Sequence, residues 1–121
     1  MLREIPGPAG RLEALLEDPA HERGIDREGL VTTGAGAAPR AAVVFGHPHP
    51  QYGGTMHTKV VYQATKALGR IGCAVLRFNF RGVGSSTGDY GGGEAEIMDV
   101  DAAVSVARDR SDSIGIAGWS F

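Results

Sequence analysis

The sequence predicts an α/β fold with a mostly parallel sheet, and three observations predict it. Residues 41–46 (A-A-V-V-F-G) and 73–80 (C-A-V-L-R-F-N-F) are apolar runs of strand length. That pattern belongs to strands covered on both faces, as in parallel sheets. Between and after them lie two segments with helical spacing of apolar residues, followed by a third short apolar run at Ile114 to Ala117. The order from Ala41 onward is therefore β-α-β-α-β. Right-handed crossovers of that order place the two helices on the faces of the sheet.

Each element has a local reason. Residues 1–17 read as a β-hairpin: Pro6-Gly7-Pro8-Ala9-Gly10 is a turn cluster, and Leu12, Ala14 and Leu16 lie on one face of the strand that follows. Residues 18–40 read as a flexible loop, with a charged run from His21 to Glu28 and a small-residue stretch from Gly34 to Pro39. Within it, Leu30 to Thr33 has the composition of a short edge strand. The first helix is expected over Thr55 to Arg70, with Val60, Val61, Ala64, Ala67 and Leu68 facing the sheet, Thr55 capping its start and Gly72 ending it. A glycine-rich loop covers Arg81 to Gly93. The second helix is expected over Glu94 to Arg108, with an apolar stripe of Ile97, Val100, Val104 and Ala107. Its acidic start and basic end (Arg108, Arg110) follow the helix dipole.

Composition sets the bounds. A chain of 121 residues with 42% hydrophobic and 21% charged residues matches one ordinary globular domain. A net charge of −2 gives no electrostatic case for nucleic acid or an anionic membrane as partner. The single cysteine, Cys73, has no internal disulfide partner. Together with the lack of a signal-peptide pattern or a membrane-length run, it points to a reducing, cytoplasmic setting. Cys73 itself reads as a small core residue, Tyr62 and Lys66 as surface, and His57 as solvated or loop-bracing.

Three stretches can carry chemistry. The first is Gly118-Trp119-Ser120-Phe121, directly after the third strand. Gly-x-Ser after a strand is the start of a nucleophile elbow, in which a sharp strand-to-helix turn presents the serine hydroxyl. Gly118 fits the close backbone approach of such a turn, and Trp119 either shapes a pocket beside Ser120 or packs on the sheet. The second is His47-Pro48-His49-Pro50-Gln51-Tyr52-Gly53-Gly54, just past the strand at 41–46. Ligands bind at that edge of an open α/β sheet. Pro48 and Pro50 have no N–H, so the backbone donors nearest the strand end are His49, then Gln51 and Tyr52. With the N–H of Phe121 they form a candidate oxyanion hole, with His47, Gly53 and Gly54 supporting the loop. His47 and His49 carry two other readings: a metal pair at i and i+2, or two side chains that brace the loop. The metal reading needs further ligands at other strand ends, where no strong candidate lies. The third stretch is Arg77 to Gly88, a rim loop in which Arg81 is expected to bind neighbouring backbone. It has neither the spacing nor the lysine of a nucleotide loop.

With these stretches in place, the chain resembles the α/β-hydrolase superfamily. The nearest likeness is to small bacterial serine hydrolases of the dienelactone-hydrolase, esterase-like and peptidase-like groups. Residues 47–55, 75–86 and 118–121 carry the resemblance, in the family's order. It implies the N-terminal part of an α/β-hydrolase sheet. It implies Ser120 as the nucleophile for an ester, thioester or amide of a small-molecule or peptide-like substrate, and no cofactor. In this fold the triad runs Ser, then Asp or Glu, then His. All four histidines, His21, His47, His49 and His57, precede the serine. The expectation is a single incomplete domain, 1–121, without its acid and base and inactive alone. Its last strand should expose unpaired backbone and apolar surface. Two alternatives stand beside it: a metal-dependent hydrolase using His47 and His49, and a non-catalytic module on the same scaffold.

Overall fold

A computed structural model of the chain describes residues 2–19, 23–25, 31–33 and 38–120. Among the described residues, seven strands and two α-helices run in the order β1 (Glu4–Gly7), β2 (Gly10–Glu17), β3 (Arg23–Ile25), β4 (Val31–Thr33), β5 (Ala41–Gly46), α1 (Lys59–Arg70), β6 (Cys73–Phe78), α2 (Glu94–Ala107) and β7 (Ile114–Gly118). The main sheet has five strands in the order β1-β2-β6-β5-β7. β6, β5 and β7 are parallel, and the hairpin β1–β2 adds antiparallel to β6. β4 does not extend an edge of this sheet. It pairs with β3 as a separate two-stranded sheet inside the stretch expected as a loop. The glycine- and alanine-rich residues 34–37 lie outside the described residues.

The connections decide where the site falls. The chain leaves β5, passes through α1 and returns one strand to the side as β6. It then passes through α2 and crosses back over β5 to β7. Two right-handed crossovers in opposite directions put the helices on opposite faces. α1 packs Val61, Ala64 and Leu68 on Phe45, Val75 and Ala117. α2 packs Ala103 and Ala107 on a larger core built from Ile5, Leu12, Ala14, Val44, Leu76 and Phe78. The crossovers reverse at β5, and the crevice at such a reversal is where open α/β sheets bind ligands.

Both helices depart from the expected pattern. α1 begins at Lys59 with Thr58 as its N-cap, not at Thr55. Residues 55–58 are drawn into a turn instead: the Thr58 N–H donates to the Thr55 carbonyl at 3.0 Å, and the Met56 N–H donates to Asn79 Oδ1 at 2.8 Å. Val60 and Ala67 face solvent, and Thr65 takes the buried place, its hydroxyl donating to the Val61 carbonyl. On α2 the deep face is Glu96, Asp99, Ala103 and Ala107, while Ile97 is 64% exposed. Gly72 does end α1, with φ at 93° in the left-handed region that glycine tolerates. Arg108 is the C-cap of α2, and Arg110 lies past the helix and pairs with Asp18.

Candidate active site

β5 and β7 end in register, Gly46 opposite Gly118. Whatever follows each strand must therefore emerge side by side at one edge of the sheet. After β7 come Trp119 and Ser120, and after β5 comes the loop from His47 to Gly54. The two segments touch, since the His49 N–H donates to the Ser120 carbonyl at 3.2 Å. Ser120 has φ of 50°, and it is the one non-glycine residue at positive φ among the described residues. That conformation costs an L-residue roughly 1–2 kcal/mol. Residues held there cluster at active sites and ligand clamps. Ser120 is exposed, and Trp119 beside it is 53% exposed. Phe121 lies outside the described residues. Gly118 is not crowded: a Cβ there would meet the Gly46 carbonyl oxygen at 3.8 Å, an ordinary contact.

The loop after β5 is fixed by its two histidines. His47 is 1% exposed. Its Nε2 accepts from the Phe80 N–H at 3.1 Å, and its ring meets Phe80 edge-on at 4.8 Å. The proton of the neutral imidazole therefore sits on Nδ1, which donates to the Pro48 carbonyl at 2.6 Å. Burial lowers the His47 pKa below its ordinary value, against the opposing pull of the Pro48 carbonyl. His49 is oriented the other way. Its Nδ1 accepts from the Gln51 N–H at 3.1 Å, and its Nε2 meets the Tyr90 hydroxyl at 2.8 Å. Both ring nitrogens of both histidines thus have protein partners. No group of three metal-ligating side chains occurs among the described residues. The observed geometry is that of loop braces.

The other loop residues have definite places. Pro50–Tyr52 form one 3-10 turn, in which the Tyr52 N–H donates to the His49 carbonyl at 3.1 Å. This donor, expected at the oxyanion hole, is used within the turn. Tyr52 itself is 87% exposed. Gly53 closes the turn at φ of 81°. Gly54 is required for close approach, because a Cβ there would lie 2.0 Å from the Pro48 carbonyl oxygen. Arg81 binds a side chain where backbone was expected. Its guanidinium lies 2.9 Å from the buried carboxylate of Asp99, and its own N–H donates to that carboxylate at 3.0 Å. The hydrogen bonds it donates to Asp99 raise the Arg81 pKa above its ordinary value, so the guanidinium stays charged. Asp99 and Glu96, both missed in the apolar stripe of α2, anchor the rim loop. Glu96 accepts the N–H groups of Gly91 and Gly93 at 2.9 and 3.1 Å.

An apolar cavity of about 310 Å³ opens between β7 and α2 and reaches as far along the chain as Trp119, the residue before Ser120. Val44, Ile116, Val100 and Trp119 line it, with His47 and Phe80 at the sheet edge. β7 is an edge strand, and its Ile116 is 65% exposed. No helix among the described residues is long and apolar enough to cross a membrane.

A pH dependence follows from His47. In the unfolded chain it takes up a proton near 6.5, whereas the fold holds it neutral. Its folded value lies below its unfolded value, so the unfolded state binds more protons as pH falls below 6.5. The contribution is intact above that pH and lost as pH drops through it. The urea midpoint is expected to fall between about pH 7.5 and about pH 5, and His47→Gln is expected to flatten that fall. Equal slopes in the two proteins would rule out His47 as its source.

An open mixed sheet with a positive-φ serine at its reversal point defines an α/β protein with a candidate site at the carboxyl edge. No protein-family model matches the chain. The fold matches an α/β serine hydrolase without lid from Xanthomonas campestris, with a TM-score of 0.79 and 31% identity over 97% of this chain. It also matches an α/β serine hydrolase homologue from Coxiella burnetii, with a TM-score of 0.75 and 38% identity over 97% of this chain. An uncharacterised protein of Rickettsia prowazekii is 45% identical over 87 residues, which are 69% of this chain and 36% of the relative. The chain carries the N-terminal half of the α/β-hydrolase fold. It spans 49% and 50% of the lengths of the two solved structures.

Proposed function

We propose that Ser120 is the nucleophile of a serine hydrolase acting on an ester, thioester or amide. The observation that carries this reading is the φ of 50° at Ser120, at the end of a parallel strand and against the His49 N–H. Such a turn is a nucleophile elbow, with the hydroxyl held clear of the sheet. In the reaction the Ser120 oxygen attacks the carbonyl carbon while a base takes its proton. The carbonyl oxygen becomes an oxyanion stabilised by backbone N–H groups, and the leaving group departs with a proton. Water then releases the acyl group by the reverse steps. The His49 N–H, which reaches Ser120 through its carbonyl, is assigned as one donor, and that of Phe121 as the other. The present acceptor of the His49 N–H is the Ser120 carbonyl, so delivery to a substrate requires that bond to open. A small-molecule or peptide-like carbonyl compound is the substrate class.

In this fold the acid and base follow the nucleophile in the chain, so this reading takes them from outside these 121 residues, all four histidines preceding Ser120. His47 has both ring nitrogens committed, His49 is committed to Gln51 and Tyr90, and His21 lies outside the described residues. On this reading the domain 1–121 is an incomplete unit, in keeping with a chain that spans about half the length of its solved relatives. Without a base the serine hydroxyl is a weak nucleophile. The isolated chain is expected to hydrolyse p-nitrophenyl esters no faster than buffer. In the protein completed by a C-terminal half with an Asp and a late His, Ser120→Ala is expected to lower kcat by about 10⁴-fold or more. Unchanged turnover in that variant would sink the nucleophile assignment. Turnover by the isolated chain that depends on Ser120 would sink the need for further residues.

A further inference from the structure

The rim loop from Arg81 to Gly93 does more than close the edge of the sheet. Gly82, Gly84, Gly88, Gly92 and Gly93 all have positive φ, so its path is one that few other sequences can follow. The path ends by delivering Tyr90 to the histidine of the other loop. The Tyr90 hydroxyl lies 2.8 Å from His49 Nε2, and the two rings sit 5.1 Å apart. Because His49 Nδ1 accepts from the Gln51 N–H, the neutral ring carries its proton on Nε2 and donates it to Tyr90. The residue after Tyr90 is pinned in turn, since the Gly91 N–H donates to Glu96, which is 2% exposed. A continuous chain of contacts therefore runs from buried Glu96 through Gly91 and Tyr90 to the His49 ring. From there it passes to the His49 N–H and the Ser120 carbonyl.

We propose that Tyr90 is a positioning residue for the Ser120 site. It holds the His49 ring, and the ring holds the backbone segment whose N–H faces Ser120. The hydroxyl does not touch the reacting atoms; it fixes the segment whose N–H meets the Ser120 carbonyl. The catalytic meaning of this rests on the nucleophile reading of Ser120, whereas the positioning itself does not.

The test is amide hydrogen exchange by NMR on the 121-residue chain and its Tyr90→Phe variant. Tyr90→Phe keeps the ring and removes one hydrogen bond, worth about 1 kcal/mol, so exchange at the His49 and Gln51 amides is expected to quicken about fivefold. The amides of β5 and β6 should not change. The His49 Nε2 resonance, measured by long-range nitrogen–proton correlation, should move with the lost acceptor. Unchanged exchange at His49, or equal quickening across β5 and β6, would overturn the proposal. In the completed hydrolase, Tyr90→Phe should lower kcat with KM unchanged, because the donor acts in the transition state. Local quickening without any loss on Ser120→Ala would leave the positioning standing and remove the nucleophile reading.

Discussion

Asp99→Ala is expected to cost about 3–5 kcal/mol of folding free energy, read as a large drop in the urea midpoint. The Asp99 side chain is fully buried, and that of Arg81 is 15% exposed. The carboxylate takes the Arg81 N–H through Oδ2 and the guanidinium through both oxygens. Truncation leaves the charged guanidinium without its bonded carboxylate, with only the charge of Glu96 still acting on it. That penalty, and not the gross attraction of the pair, sets the size of the effect. Against a total stability of about 5–15 kcal/mol for a domain, the loss is severe. Replacing both members, as in Arg81→Met with Asp99→Leu, removes the uncompensated charge and is expected to recover much of the loss. A single variant within about 0.5 kcal/mol of the parent protein would show that the pair has no structural weight. The break would also be felt at the site. Arg81 begins the loop that presents Tyr90, so His49 should lose its restraint in the same variant.

How far the sequence could be read depended on the kind of contact involved. β5 lies at Ala41–Gly46, as its apolar run indicates, because a strand covered on both faces has no polar position to blur its ends. The likeness of residues 47–55 and 118–121 to one edge of a hydrolase sheet was visible for a topological reason. In a parallel sheet, residues after adjacent strands emerge together whatever the loops do. The face of α2 was visible only in part: Val100, Val104 and Ala107 do pack on the core, and Ile97 does not. Apolar spacing selects Ile97, Val100, Val104 and Ala107, but burial selects Glu96 and Asp99 in the first two turns. Those carboxylates are buried because they meet Arg81 and the Gly91 and Gly93 amides, partners that no helical period contains. Tyr90 escaped notice for the same reason. Its meeting with His49, 41 residues away, depends on a glycine path that only coordinates reveal. In α1, Thr55 has the chemistry of a cap, but the tie from Met56 to Asn79 bends the chain away until Thr58.

Phe78→Ala should prove as costly as the loss of Asp99, at about 3–5 kcal/mol, because it deletes the largest fully buried side chain among the described residues. Phe78 is 0% exposed and ends β6, opposite Ala14 of β2. Ala14 is small and offers nothing to refill the space, so most of the cavity should persist, and cavity volume adds to the transfer cost. The consequence reaches the candidate site through a row of rings. Phe78 meets Phe80 edge-on at 4.9 Å, and Phe80 meets His47 at 4.8 Å. The Phe80 N–H also holds His47 Nε2 in its acceptor state. With Phe78 gone, Phe80 can tilt into the cavity, and water can then reach His47. Phe78→Ala should therefore weaken the pH dependence assigned to His47, since a solvated imidazole regains its ordinary affinity for protons. Phe78→Leu keeps most of the volume and is expected to cost under about 1.5 kcal/mol with the pH dependence retained. A loss in Phe78→Ala that leaves the His47 slope untouched would separate the core from the site, and the brace formed by these three rings would then be no brace.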